Sequence, residues 1–456
     1  MTRKARAGAV TAALLSGLAA PASAQAGGQV TLGLAVRSAL ATHPTIEAAR
    51  ARLDAAESAV GEARASWLPT VGTQGLGTRY EEPMVVAPLH GFDPAAPPRF
   101  DRTLVQGHAV AEWTAFDGGA RGARIAGARA VASGAESGVE AASHGVIAEA
   151  VSSYLGASTA DEVARAHGEL VRALEAERSR AALLFEAGRI PRVSVLRAEA
   201  ALSRARADLE AVGAEREVAF RRLARVTGLG MERLAGGLEA MLPDAAPPGP
   251  AGGAPGSRDA LVETALARHP ELGRARGRAA AAGAMVDGAR SAYLPRIGVA
   301  GRYSAFGSAE TAPRPEWNAG VQVSWAAFTG GARGRAVDRA EAEARVAEAD
   351  VALVARQVEE AVDRALAAYR AARARTEALE AAAAQSAEVA RIEALALDAG
   401  AGVQTDYLRA EAELLQVRAG LAEARSAVLE ARVRLAQATG SLTVAWVLEL
   451  TGEGDR

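Results

Sequence analysis

Two kinds of apolar spacing divide the chain. Ala319, Val321, Val323 and Trp325 alternate with Asn318, Gln322 and Ser324, the period of a strand with one apolar and one polar face. An earlier stretch sets Val105, Ala109, Ala111 and Trp113 against Gln106, His108 and Glu112. Elsewhere the period is helical, as where Val351, Val354, Val358, Ala361, Ala365 and Tyr369 recur at spacings of three and four. Each strand-like run closes on aromatic residues, turns through a glycine pair and opens a long run rich in Ala, Glu and Arg. The first such corner is Trp113-Thr114-Ala115-Phe116-Asp117-Gly118-Gly119-Ala120-Arg121-Gly122, and the second is Trp325-Ala326-Ala327-Phe328-Thr329-Gly330-Gly331-Ala332-Arg333-Gly334.

A corner that occurs twice points to an internal repeat. Ala39-Leu40-Ala41-Thr42-His43-Pro44 matches Ala265-Leu266-Ala267-Arg268-His269-Pro270 at an offset of 226, as Trp67-Leu68-Pro69 matches Tyr293-Leu294-Pro295. From Trp113 onward the offset is 212: Gly188 matches Gly400, Ala198-Glu199-Ala200 matches Ala410-Glu411-Ala412, and Thr227-Gly228 matches Thr439-Gly440. The change of 226 − 212 = 14 residues falls between the Leu-Pro and the Trp. It marks a variable loop between strands, while the helices keep equal lengths.

Each half therefore predicts helix, strand, strand, long helix, glycine turn, helix. Repeat 1 covers 25–242: a helix capped by Thr31 and running to about Ser66, a strand hairpin over 70–115, a long helix over 118–187 and a helix over 193–227. The hairpin's strands are Thr70–Tyr80 and Leu104–Ala115, parted by a Pro-rich loop over 81–103. Repeat 2 covers 258–440, with Ser257 as the cap, a hairpin over 296–327, a long helix over 330–399 and a helix over 405–439. The Pro/Gly-rich stretch 243–257 links the halves, and 441–456 is a short tail. Gly188, followed by Pro191, and Gly400 read as left-handed turns at helix tips. A helix of about 70 residues is roughly 100 Å long, and two helices of about 35 residues stacked end to end match it. The tips then lie at one extreme and the strands at the other.

Composition narrows the setting. The formal net charge is −2, which argues against nucleic acid as a partner. The chain has no cysteine, which excludes disulfides, thiolate metal sites and an acylated N-terminal Cys. Arg3, Lys4 and Arg6, an apolar run over Ala9–Ala20 and Ala22-Ser23-Ala24 compose a secretory signal over 1–24. No later stretch is unbroken and apolar enough for a transmembrane helix, so membrane insertion would need strands. The strand pattern fits lipid-facing barrel strands with Val105, Trp113, Val321, Val323 and Trp325 outward, and equally a soluble hairpin packed on a helix. In lipid, four strands leave open edges. Three chains would close a barrel of 3 × 4 = 12 strands, whereas the 8 strands of two chains leave no channel. The six histidines form no metal-type pair at helical spacing, and no nucleophile–base arrangement is present, so neither a cofactor nor an enzyme is implied.

The order helix, Leu-Pro, strand, strand, Phe-x-Gly-Gly, long helix, Gly turn, helix, used twice from Val30 to Gly440, resembles the TolC-like outer-membrane efflux protein family. The resemblance implies a mostly helical α+β fold, a homotrimer, and a 12-stranded barrel in outer-membrane lipid continuous with a periplasmic helical barrel. It also implies docking to a periplasmic adaptor and an inner-membrane pump of the RND or ABC type. The family narrows its periplasmic tip with acidic side chains in the pattern Gly-x-x-x-x-x-Asp-x-Leu-Asp. Here Gly400 and Asp406 match, but Arg409 replaces the second aspartate, at ion-pair spacing from Asp406, and Leu397 replaces the family's gate tyrosine. Ser194 and Arg197 are the first-half equivalents. The expected role is a passive exit duct, and the rival reading is a soluble periplasmic coiled-coil scaffold.

Overall fold

The computed structural model describes residues 29–91, 94–95, 97–239 and 256–452. The expected signal over 1–24 and most of the expected linker, 243–255, lie outside the described residues.

The first half opens with two short helices, α1 (Leu32–Thr42) and α2 (Pro44–Ala65). A single helix to Ser66 was the expectation, and Pro44 breaks it. Proline has no N–H to continue the ladder and holds the preceding residue extended, as at His43 (φ −73°, ψ 126°). The His43 ring then caps α2, its Nδ1 accepting from Thr45 N–H at 3.3 Å. His269 does the same for Glu271 in the second half, where α6 (Arg258–Arg268) and α7 (Pro270–Ser291) have the same 11- and 22-residue lengths as α1 and α2. Thr31 and Ser257 cap α1 and α6 through their hydroxyls.

Four strands follow as one antiparallel sheet in the order β1-β2-β3-β4: β1 (Thr70–Val85), β2 (Phe100–Phe116), β3 (Arg296–Ser308) and β4 (Arg314–Ser324). The halves meet at the β2–β3 pairing, and β1 and β4 each keep one edge unpaired among the described residues. The strands differ from expectation at their far ends. The Pro-rich loop is shorter than 81–103, because β1 runs on past Pro83 through a break in register between Arg79 and Met84. An edge strand tolerates Pro there, since its N–H has no ladder partner to lose.

The long helices are α3 (Ala120–Glu186) and α8 (Ala332–Asp398), 67 residues each, or roughly 100 Å. They return through α4 (Arg192–Thr227) and α9 (Gln404–Ala438). Successive small clusters zip them together along the rod. Ala56 and Val60 of α2 meet Ala132 near the start of α3. Val171 and Leu174 meet Leu202 and Ala205 of α4 further down, and Ala390 of α8 meets Ala410 and Leu414 of α9. Helix α7 packs on both α3 and α8, as does α9, which joins the halves into one slab.

The largest cluster sits midway along the rod. It gathers α1, the middle of α3, the end of α4, the one-turn helix α5 (Met231–Leu234) and α10 (Val444–Thr451). The tail over 441–456 thus carries a helix the apolar spacing had not indicated, with Val447 buried. Tyr154 is fully buried, and its hydroxyl lies 2.8 Å from Val30 O and 2.9 Å from Glu239 O.

Both glycine pairs turn left-handed, Gly118 and Gly119 at φ 69° and 96°, Gly330 and Gly331 at 60° and 85°. Only Gly118 is also crowded: a Cβ there would meet Ser291 O at 2.6 Å and Leu294 Cβ at 2.8 Å, whereas Gly330 has open space. Gly118→Ala should therefore lower thermal stability well beyond the roughly 1–2 kcal/mol of a left-handed alanine, and Gly330→Ala by about that amount alone. Thermal unfolding of the two variants side by side checks this.

Candidate functional site

The sheet has two unlike faces. Strand register aligns Trp113 with Val299 and Val321, and Tyr303 with Trp317. Val105, Val323 and these residues share one face and are all exposed. Trp325 falls one residue past the end of β4 rather than within it, yet continues the face. Its indole Nε1 donates to Tyr293 O at 3.1 Å, as Trp113 Nε1 donates to Trp67 O at 2.9 Å. These bonds fasten the base of the sheet to the ends of α7 and α2. Trp317, which the pattern had not singled out, marks the other end of β4. The eight steps from Trp317 to Trp325 span about 26 Å along the strand, or roughly 20 Å of height at a barrel strand's tilt of about 40°, comparable with an apolar band of about 25 Å between aromatic girdles. The opposite face carries Gln106, Glu112, Arg302, Asn318 and Gln322, and a His108 Nδ1–Ser304 Oγ hydrogen bond at 2.9 Å. Among the described residues no helix is long and apolar enough to cross a membrane.

At the far end of the rod, Gly188 (φ 71°) and Gly400 (φ 72°) are the helix-tip turns, and Pro191 precedes the first turn of α4. Asp406 and Arg409 are both exposed on the first turns of α9. They are one turn apart, and among the described residues the two form no ion pair with each other or with another side chain. Arg197 is exposed on α4 and Ser194 half-buried, and the structure does not bring them onto Asp406.

A different set of residues joins the two tips. Glu177 of α3, 5% exposed, accepts from Arg180 Nε at 2.9 Å and from Gln404 Nε2 of α9 at 2.7 Å. Arg180 also donates to Leu397 O at 3.3 Å and approaches Asp398 at 3.6 Å, both at the end of α8. Tyr407 packs beside this clasp, its phenol pushed up to about 12 by burial and then by the nearby Glu411 and Glu177 carboxylates. Leu397, in the gate-tyrosine position, takes part through its backbone carbonyl. One sequence signal could have found the clasp: 212 residues on from Glu177 and Arg180 stand Val389 and Ile392, so the repeat loses its symmetry there.

The outer membrane efflux protein family model matches residues 35–229 and 261–441. The chain belongs to the outer membrane efflux protein family. Protein CyaE of Bordetella pertussis is 30% identical over 356 residues, 75% of this chain and 70% of that protein. Among solved structures, a Pseudomonas aeruginosa membrane protein aligns at TM-score 0.73 and 21% identity, over 90% of this chain and 92% of that one. The Campylobacter jejuni CmeC outer membrane channel aligns at TM-score 0.72 and 17% identity, over 90% and 85%. The mostly helical fold with a small antiparallel sheet is that of the CmeC outer membrane channel and of the Pseudomonas aeruginosa membrane protein. Family members are passive channels with a periplasmic helical part, not enzymes, and the soluble-scaffold reading gives way to a channel.

Removing the Glu177 carboxylate leaves Arg180 and Gln404 without their shared acceptor in a nearly dry site. Glu177→Ala should therefore speed amide hydrogen exchange over residues 396–407 by about tenfold or more, while Asp406→Ala leaves it within about twofold. Exchange measured by mass spectrometry on the same peptides checks both.

Proposed function

We propose that three copies of this efflux-family chain form a passive exit duct across the outer membrane and periplasm. The observation that carries this reading is the sheet. Its exposed apolar face ends in aromatics, its other face carries most of its polar side chains, and both its edges are unpaired among the described residues. A lone four-stranded sheet cannot sit in hydrocarbon with bare edges, whereas 3 × 4 = 12 strands close a water-filled barrel. The apolar face, with Val105, Trp113, Val321, Val323 and Trp325, meets lipid. The α-helical slabs continue the wall as a tube about 100 Å long.

In this duct, energy comes from an inner-membrane pump of the RND or ABC type, joined by a periplasmic adaptor at the tips. Opening splays the helix pairs around Gly188 and Gly400, and the Glu177–Arg180–Gln404 clasp resists that movement. Asp406 contributes one carboxylate per chain to the periplasmic constriction, with Arg409, Ser194 and Arg197 beside it.

Detergent extraction of the outer-membrane fraction, followed by the mass of the particle, tests the assembly. The expected result is a particle of three chains, each about 2 kDa lighter than the 46.6 kDa full-length chain once the signal over 1–24 is removed. A soluble periplasmic monomer would overturn the reading. Planar-bilayer recordings test the constriction separately. Asp406→Ala should alter single-channel conductance and cation block, whereas Glu177→Ala should raise the frequency of opening. Unchanged conductance in Asp406→Ala would remove Asp406 from the pore.

A further inference from the structure

The two halves share a register as well as an order of elements. Thr70 pairs with Glu112 in the first hairpin and Arg296 with Ser324 in the second, positions related by 296 − 70 = 226 and 324 − 112 = 212. The sequence offsets therefore carry a contact of one half onto the other. Where the halves meet, β2 sets Trp113 opposite Val299 of β3. Beside it, Ala123, Gly127 and Gly134 of α3 lie against Gly288, Ala284 and Gly277 of α7. The same shifts applied to these contacts land on the outer edges of the slab, with α8 and β4 on one side and α2 and β1 on the other. Trp325 falls opposite Thr73, while Arg335, Arg339 and Val346 fall against Glu62, Ser58 and Ala51. Each of these helix residues is exposed on the single chain.

We propose that these two edges dock copy to copy in that register, with Glu62 of one copy between Arg335 and Arg339 of the next. The proposal rests on the trimer reading above and gives it a surface. The strand faces agree with it. Trp325 opposite Thr73 sets Val321 opposite Gly77 and Val323 opposite Gly75, and β1 already places Gly77 opposite Val105 of β2, on the same apolar face. A slip of one residue would set that face against the polar one. The charges are complementary as well. Arg339 and Glu62 have no ion-pair partner among the described residues, and Arg335 has the exposed Asp338 at 3.3 Å. The matching contact inside the chain is uncharged, since Ala123, Gly127 and Gly288 let α3 and α7 approach closely. Val346 in place of Gly134 imposes a wider gap between copies, which side chains as long as arginine and glutamate can span.

The chain has no cysteine, so paired cysteines report the register without background. Within one chain β1 and β4 lie three strand spacings apart, roughly 14 Å, so a disulfide between them must join two copies. Mild oxidation of the extracted particle carrying Gly75→Cys and Val323→Cys should give a three-chain covalent band in denaturing gels. That band should be about tenfold stronger than from the pair shifted by two residues, Gly77→Cys with Val323→Cys. Charge reversal tests the helices. Glu62→Arg, repeated at three interfaces, should lower the temperature at which the particle falls to single chains by about 3 °C or more. Adding Arg335→Glu and Arg339→Glu should restore it, a recovery that a merely misfolded variant would not show. Equal bands from the matched and shifted cysteines overturn the register. An unchanged temperature in Glu62→Arg, or no recovery on exchanging the charges, overturns the ion pair. Failure of the trimer reading is distinct, since it shows before oxidation as an unaltered particle smaller than three chains, and it overturns both.

Discussion

A sheet and a helical rod can work as one wall only if the joint between them is stiff, and here Arg121 supplies the stiffness. Its guanidinium is buried against Trp67 and bonded to Asp117, Ser66 O and Ala115 O, so one side chain ties the end of α2, the end of β2 and the start of α3. A planar five-donor fork suits that task, because each donor direction is fixed before any bond is made. The glycine pair turns the chain and the arginine fixes the angle of the turn. From there the rod is assembled by small residues along the helix faces and by the cluster around Tyr154, none of which has to aim the helices.

Much of this architecture was legible because the chain states it twice. The match of Gly188 with Gly400 pointed to turns between helices, and both glycines take left-handed backbone between helices in the structure. What a pattern of residue types could not supply was the effect of one proline on its neighbour. The helix therefore broke at His43, where Pro44 forbids its continuation, and β1 ran on past Pro83, where an edge strand has no bond to lose. Helix α10 escaped because eight residues hold barely two turns, too few for a period to declare itself.

The tip shows the opposite limit. Asp406 and Arg409 have the spacing of an ion pair and do not form one, whereas Glu177 and Gln404, 227 residues apart, do bond. Spacing along a helix reports which residues share a face, not which rotamers are taken in water, where an exposed pair gains little. In the nearly dry setting of Glu177 the same chemistry is strongly directed. The clasp that joins the two tips lies where the halves differ, with Val389 and Ile392 in place of Glu177 and Arg180. A duplicated chain keeps its common frame in the matching positions and places its particular chemistry in the mismatched ones.

The equal length of α3 and α8 has a consequence for how such a chain can change in size. Each residue added to one long helix would advance its tip by 1.5 Å and rotate it by about 100°. The clasp side chains of one hairpin would then face away from their partners on the other. Only additions that restore both rotation and level, made in both hairpins and in α4 and α9 together, would leave the tips meeting. The external loops are under no such condition, as the 226 − 212 = 14 residue difference between the halves shows. The depth of the rod is thus quantised, while the outer rim is free to vary one residue at a time.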